Sequence, residues 1–244
     1  MERNHNELQK NFKNEVSLFL DSQSPDSKTW LFNNITGRFD PSSIACPLYP
    51  ASLSPICSHV FDRPASENAS TFYDKHNGII TDPQCADWIS TGKLTLRPNL
   101  PITNPIEYQI VVLDYANTDF RDYTIIAALG ADGAARMMKV HELDGQIMPF
   151  RGLRRPHPKY AFMHFLCAVG KAHLLRGDVG SIELVEYWRG IFVSGATSDG
   201  TKPASWYNKA ALRVLARYLD DDEILRPILA PLVEAIRRLR GWKG

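Results

Sequence analysis

The sequence lacks an excess of charge of either sign. Across its 244 residues, 28 Lys and Arg stand against 27 Asp and Glu, which gives a formal net charge of +1. Proteins that bind DNA or RNA usually present a strongly basic face. The even balance therefore disfavours nucleic acid as the main partner, and it leaves room only for a local basic patch.

Paired cysteines are also absent. The chain has 4 cysteines, and no two of them form a CxxC pair: Cys46, Cys57, Cys85 and Cys167. A tetrahedral zinc site usually draws its ligands from such close pairs, so none is expected here. The spacing instead predicts reduced, mostly buried thiols, as in a cytosolic protein.

Long apolar runs and the familiar nucleotide and protease motifs are missing too. No run approaches the roughly 18 apolar residues that a membrane span needs, and residues 1–6 are polar, unlike the apolar part of a signal peptide. The sequence has no Gly-rich phosphate loop, GxSxG or HExxH. We therefore expect a cytoplasmic protein that uses no cofactor and binds no metal.

The residues that are present predict alternating helices and strands. In residues 6–21 apolar side chains recur every three or four positions, so they share one helical face. Asp82 followed by Pro83 predicts the start of a helix. Helices are predicted at 6–21, 83–90, 159–175, 206–219 and 222–239, and strands at 56–61, 78–81, 93–97, 108–113 and 123–129. Residues 139–143 fit either structure, and Asp144-Gly145 predicts a turn.

These elements predict one α+β domain over residues 1–244. Its expected centre is a small twisted antiparallel sheet surrounded by helices. Residues 196–244 are expected to add two C-terminal helices.

Several short motifs follow one another in a recognisable order. They are Cys46, then Ser58-His59-Val60, His76-Asn77-Gly78-Ile79-Ile80, Gly92-Lys93-Leu94-Thr95-Leu96, Ile110-Val111-Val112-Leu113-Asp114, Leu143-Asp144-Gly145 and the stretch from Leu153 to His164. In this order the chain resembles the HNH-endonuclease-like proteins of filamentous fungi, over roughly residues 40–170. The resemblance implies a ββα core.

The resemblance also implies roles for individual residues. In HNH nucleases the first His is the general base, the Asn orients it, and a second His helps to bind a divalent cation. Carried over, His59 takes the position of the base, Asn77 that of the orienting residue, and Asp62 that of a neighbouring acid. The position of the metal ligand is Ala86, whose methyl group cannot bind a metal. The chain therefore resembles an HNH scaffold without its metal.

Loss of a polar metal centre predicts a pocket lined by aromatic side chains, which suits an apolar small molecule better than a phosphodiester. The predicted substrate-binding residues are Phe61, Phe72, Tyr73, His76, Trp88, Tyr160 and His164. The expected function is that of a cofactor-free biosynthetic enzyme, a cyclase or pericyclase. It would catalyse a cycloaddition of Diels–Alder type or a rearrangement of a terpenoid or polyketide intermediate. Such a step needs a folded substrate and a few hydrogen-bond donors.

Other interpretations stay open. A residual metal-dependent nuclease would use Arg151, Arg154 and Arg155 to contact phosphates, although a solvated loop explains the same residues. A binding module without catalysis would use the C-terminal helices as a homodimer face, with Trp206, Tyr207 and Tyr218. His59 and His164 are each also compatible with a purely structural role in the core.

Overall fold

A computed structural model describes residues 2–27, 29–49, 65–99, 105–114, 117–129 and 134–176. This part of the chain combines α-helices with small antiparallel two-stranded sheets. The predicted mixture of α and β structure is therefore confirmed. The predicted strand at 56–61 and both predicted C-terminal helices lie outside the described residues.

The elements follow one another in short succession. In chain order they are α1 (Glu2–Phe19), β1 (Leu31–Asn33), β2 (Arg38–Asp40), β3 (Ile44–Pro47), a 3-10 turn (Ala65–Glu67), α2 (Asn68–Phe72), a 3-10 turn (Lys75–Asn77), β4 (Gly78–Thr81), α3 (Pro83–Ser90), β5 (Leu94–Pro98), β6 (Tyr108–Val112), α4 (Thr118–Arg121), β7 (Thr124–Ala127), β8 (Arg136–Lys139), a 3-10 turn (Val140–Leu143) and α5 (Pro158–Arg176).

The strands pair as β1 with β2, β3 with β4, β5 with β6, and β7 with β8, always antiparallel. In the second pair Cys46 lies opposite Ile79, and α3 follows directly. Helix α3 begins as its sequence predicts, because the Asp82 side chain accepts a hydrogen bond from the Cys85 N–H at 2.9 Å and Pro83 occupies the first turn. The ambiguous residues 139–143 divide into the last residue of β8 and a 3-10 turn.

Two apolar clusters hold the described elements together. The larger one lies where α5 packs on the β5–β6 pair, with fully buried Leu94, Tyr108 and Tyr160. The smaller one lies under α1 and joins Phe12 and Val16 to strand β4. Burial of such side chains is the main source of folding free energy, so α1 belongs to the packed structure.

Helix α1 lies directly against β4 because the first residue of that strand is a glycine. A Cβ atom at Gly78 would lie 2.5 Å from Val16 Cγ2 and 2.8 Å from Phe12 Cζ. This close approach places the end of α1 beside residues 72–77, which carry several of the predicted site residues. Within the described ranges, no helix combines the length and the apolar character needed to cross a bilayer.

Candidate functional site

Asn77 is completely buried, and its side chain is bonded at both ends. Its Oδ1 accepts a hydrogen bond from the Tyr49 N–H at 2.7 Å, and its Nδ2 donates to the Phe72 carbonyl at 2.6 Å. The Asn77 carbonyl also accepts from the Leu48 N–H at 2.8 Å. One side chain thus joins the two ends of the segment between Tyr49 and Phe72. Its predicted partner His59 lies outside the described residues.

A groove of about 630 Å³ lies beside this junction, between α1 and residues 70–76. We call it the α1 groove. It is lined by Leu8, Asn11, Phe12, Glu15, Leu18, Phe19, Ser70, Tyr73, Asp74, Lys75, His76 and Arg154. The volume falls in the range typical of small-molecule sites, and the walls combine five apolar or aromatic residues with seven polar or charged ones. Two predicted substrate-binding residues, Tyr73 and His76, line it.

Asp74 and His76 form a carboxylate–imidazole pair at the wall of the α1 groove. The Asp74 Oδ1 atom accepts from the His76 N–H at 2.8 Å and lies 2.6 Å from the His76 Nδ1 atom. An ionised carboxylate only accepts hydrogen bonds, so in the neutral form of the imidazole the proton is on Nδ1 and the lone pair is on Nε2. The His76 side chain is 41% exposed, so the pair combines a fixed tautomer with access from solvent.

The Phe19 ring gathers three side chains of the groove around it. The His76 ring lies edge-on at 4.5 Å between centroids. Lys75 Nζ lies 6.0 Å and Arg154 Cζ 5.8 Å from the same ring centroid, within the range of cation–π attraction. Within the described ranges, neither cation has a carboxylate oxygen within 4.0 Å.

Tyr73 forms the inner aromatic wall. Its ring makes edge contacts with Phe12 at 5.5 Å and with Phe72 at 5.0 Å. Burial raises the pKa of Tyr73, and a hydrogen bond with Gln9 opposes that shift. The hydroxyl therefore stays protonated near neutral pH and can serve as a hydrogen-bond donor.

The other predicted aromatic residues lie in the core. Trp88 is buried on α3 and packs edge-on against Phe120 at 5.1 Å and Tyr123 at 5.3 Å. Phe72 is buried, and Tyr160, with no exposed surface, lies with its hydroxyl 3.4 Å from the Thr71 carbonyl. Phe72, Trp88 and Tyr160 thus belong to the larger apolar cluster. None of the three lines the α1 groove.

His164 is buried on α5, and both of its ring nitrogens have a partner. Nε2 lies 2.9 Å from the Ile89 carbonyl and Nδ1 lies 2.7 Å from Thr95 Oγ1. Since a carbonyl only accepts, Nε2 carries the proton and the threonine hydroxyl donates to Nδ1. Burial lowers the pKa of His164 to about 4. The residue is therefore a neutral histidine that connects α5 with α3 and β5.

No metal site is formed by the described side chains, since they contain no group of three His, Cys, Asp or Glu residues placed to hold an ion. Ala86 lies half-buried on α3 against the larger apolar cluster. Burial raises the pKa of Cys46 to about 12 and that of Cys85 well above its usual value, so neither is a thiolate at neutral pH. His59, Phe61 and Asp62 lie outside the described residues, and their predicted roles stay predictions.

The basic loop before α5 contributes one arginine to the groove. Arg151 donates to the Gln23 carbonyl at 2.8 Å, and Arg155 donates to the Gly152 carbonyl while it stacks on Phe150 at 4.3 Å. Only Arg154 of the three lines the α1 groove. Sequence reasoning missed Asp74 and Phe19 as parts of a site, although the Asp-x-His spacing of residues 74–76 is a signal for an oriented imidazole.

No protein-family model, curated protein or solved structure matches this chain. The resemblance to HNH-type proteins therefore stays a prediction, as do the enzyme, nuclease and binding-module hypotheses attached to it.

Proposed function

We propose that this chain is a cofactor-free small-molecule enzyme of the cyclase or isomerase class. We place its active site in the α1 groove, beside Asn77, to which the HNH resemblance assigns the orienting role. One observation carries the proposal: the Asp74–His76 pair lies at a groove of about 630 Å³ whose walls combine five apolar or aromatic residues with seven polar or charged ones. An oriented imidazole next to apolar walls suits proton transfer on an apolar substrate.

His76 is the general base and acid of the proposed reaction. Its Nε2 removes a proton from a carbon that a neighbouring carbonyl acidifies, and the electron pair of the C–H bond forms an enolate. The enolate carbon then bonds to a second carbonyl carbon of the same molecule, and the imidazolium returns the proton to the new alkoxide. The product is a cyclic isomer of the substrate. Asp74 accepts a hydrogen bond from the Nδ1–H group throughout and stabilises the imidazolium.

In this proposal the walls of the groove hold the substrate in a folded conformation. Leu8, Phe12 and Phe19 of α1 line the site together with Tyr73, so a flexible polyketide or terpenoid chain would lose conformational freedom on binding. Holding the two reacting carbons together converts part of the binding energy into rate. The Tyr73 hydroxyl is a donor for the developing enolate oxygen or alkoxide.

The order of the neighbouring elements supports the HNH-like scaffold in this proposal. Strand β3 (Ile44–Pro47) pairs antiparallel with β4, and α3 follows at once, an order that fits a ββα unit; the predicted first strand, 56–61, lies outside the described residues. Asn77 directly precedes β4, and its side chain binds the backbone of Tyr49 and of Phe72. In this proposal Asn77 has a structural role, and the chemistry belongs to His76.

The test is incubation of the purified chain with a panel of linear polyketide-type and polyene intermediates, followed by chromatography with mass detection. Cyclisation without a cofactor is expected to give a product of unchanged mass and altered retention. His76→Asn should lower the rate by about 100-fold or more, the usual contribution of a general base. His141→Asn is the matched control, because the His141 side chain is similarly exposed at 37% and bonds to the Arg121 carbonyl away from the groove.

Two results would contradict the proposal. One is a product that His76→Asn forms as fast as the unchanged chain. The other is equal loss of activity in His76→Asn and His141→Asn, which would point to a general effect on folding.

A further inference from the structure

We infer that the α1 groove selects a substrate whose apolar body ends in a single carboxylate. This inference deepens the proposed function and rests on it for the identity of the site. It starts from the two cations of the groove, Lys75 and Arg154. Both lie beside the Phe19 ring, and neither has a carboxylate partner among the described residues.

The two cations stand next to the reacting imidazole. Lys75 precedes His76 in the chain, and Arg154 lies on the same Phe19 ring that the His76 ring contacts. An acid bound by them would lie with its charged end at the Phe19 ring, which the His76 ring also contacts. The planar guanidinium pairs with a planar carboxylate through two hydrogen bonds, and the ammonium adds a point charge.

The remaining charges of the groove set a limit to the charge of the ligand. Glu15 and Asp74 also line it, so the carboxylates equal Lys75 and Arg154 in number. Both carboxylates would repel a doubly charged phosphate more strongly than a singly charged carboxylate, so the groove favours an anion of low charge. The apolar side chains of Leu8, Leu18 and Phe12 line the groove. They favour an acid with an apolar body over a small polar acid.

The experiment is a calorimetric titration of the full chain with 4-phenylbutyrate and with 4-phenylbutanamide at neutral pH and low salt. The two probes have the same shape and differ in charge. The acid is expected to bind about tenfold more tightly than the amide, and added salt should lower the affinity of the acid only. In Lys75→Gln with Arg154→Gln, the two affinities should become equal, and each single variant should lose part of the preference.

Arg151→Gln is the control, because it changes an arginine of the same loop whose guanidinium bonds to the Gln23 carbonyl. It should keep the preference for the acid. Equal binding of acid and amide to the unchanged chain, no binding of the acid at millimolar concentration, or an unchanged preference in the double variant would overturn the inference. His76→Asn separates the two proposals: it should keep the preference for the acid and lose turnover. If it keeps both, the proposed function fails and the inference stands.

Discussion

Asn77 shows how one side chain can connect two backbone positions that are far apart in the chain, Tyr49 and Phe72. Its amide is buried and bonds to the Tyr49 N–H on one side and to the Phe72 carbonyl on the other. Both backbone groups would lose their partner if the amide were removed, and water does not reach the side-chain position. Unsatisfied buried polar groups each cost about 1–3 kcal/mol.

Asn77→Ala is therefore expected to lower the free energy of unfolding by about 2–4 kcal/mol, as measured by urea denaturation. Asn14→Ala is the matched control, because Asn14 is exposed on α1 and its loss should change stability by less than about 0.5 kcal/mol. A loss below about 1 kcal/mol for Asn77→Ala would show that the Tyr49 N–H and the Phe72 carbonyl find other hydrogen-bond partners.

The sequence alone indicates a role for Asn77 but does not predict its hydrogen-bond partners. Its partners are 28 and 5 residues away in the chain, and no local pattern indicates a bond over the larger distance. The same holds for His164, whose partners are 69 and 75 residues away. His76 differs, since its orienting carboxylate is two residues earlier, and the pair follows from local spacing.

At the level of elements, the contact between α1 and β4 decides where the groove lies. Gly78 takes an extended backbone with φ of −128°, which alanine also adopts, so the conformation does not require glycine. The requirement is space, because a Cβ atom there would overlap Val16 and Phe12. Any side chain at this position has to push α1 away from the strand.

Gly78→Ala is accordingly expected to destabilise the protein by about 1–3 kcal/mol, the usual cost of overpacking. Adding Val16→Ala to Gly78→Ala should recover part of this loss, since it removes the atoms nearest to the new methyl group. Thermal and urea unfolding of the two single variants and the double variant give the coupling energy. Strictly additive effects would argue against direct contact between the two positions.

Elements with local sequence signals are predicted correctly, whereas a strand that depends on pairing with a distant segment is missed. Strand β4 and helix α3 have the predicted bounds, 78–81 and 83–90, because Asp82 and Pro83 mark the boundary between them. Strand β3 has only the residues Ile44–Pro47, and its pairing with β4 spans a long stretch of chain. Four residues that end in proline carry too little pattern for a strand to be predicted.

At the scale of the molecule, one buried and one half-buried histidine make the stability of the fold depend on pH. His164 joins α5 to α3 and β5 as a neutral side chain, and burial lowers its pKa to about 4 from the usual 6.5. The pKa of His157, just before α5, is also lowered to about 4, mainly by burial and further by the charge of Lys159. The charged form of each imidazole is less well solvated in the folded protein than in the unfolded chain. Protonation of His164 would also remove the hydrogen bond that its Nδ1 accepts from the Thr95 hydroxyl.

Between the two pKa values the unfolded chain binds a proton that the folded chain does not. The stabilisation from the depressed pKa is therefore present above about pH 6.5 and is lost as the pH falls toward about 4. From about pH 7.5 to pH 5, His164 alone should account for a loss of about 2 kcal/mol in the free energy of unfolding. Urea unfolding at both pH values measures the difference. In His164→Gln the pH-dependent loss should shrink by about that amount, while His141→Asn should keep it. An equal pH dependence in His164→Gln and the unchanged chain would mean that His164 takes up its proton in the folded protein.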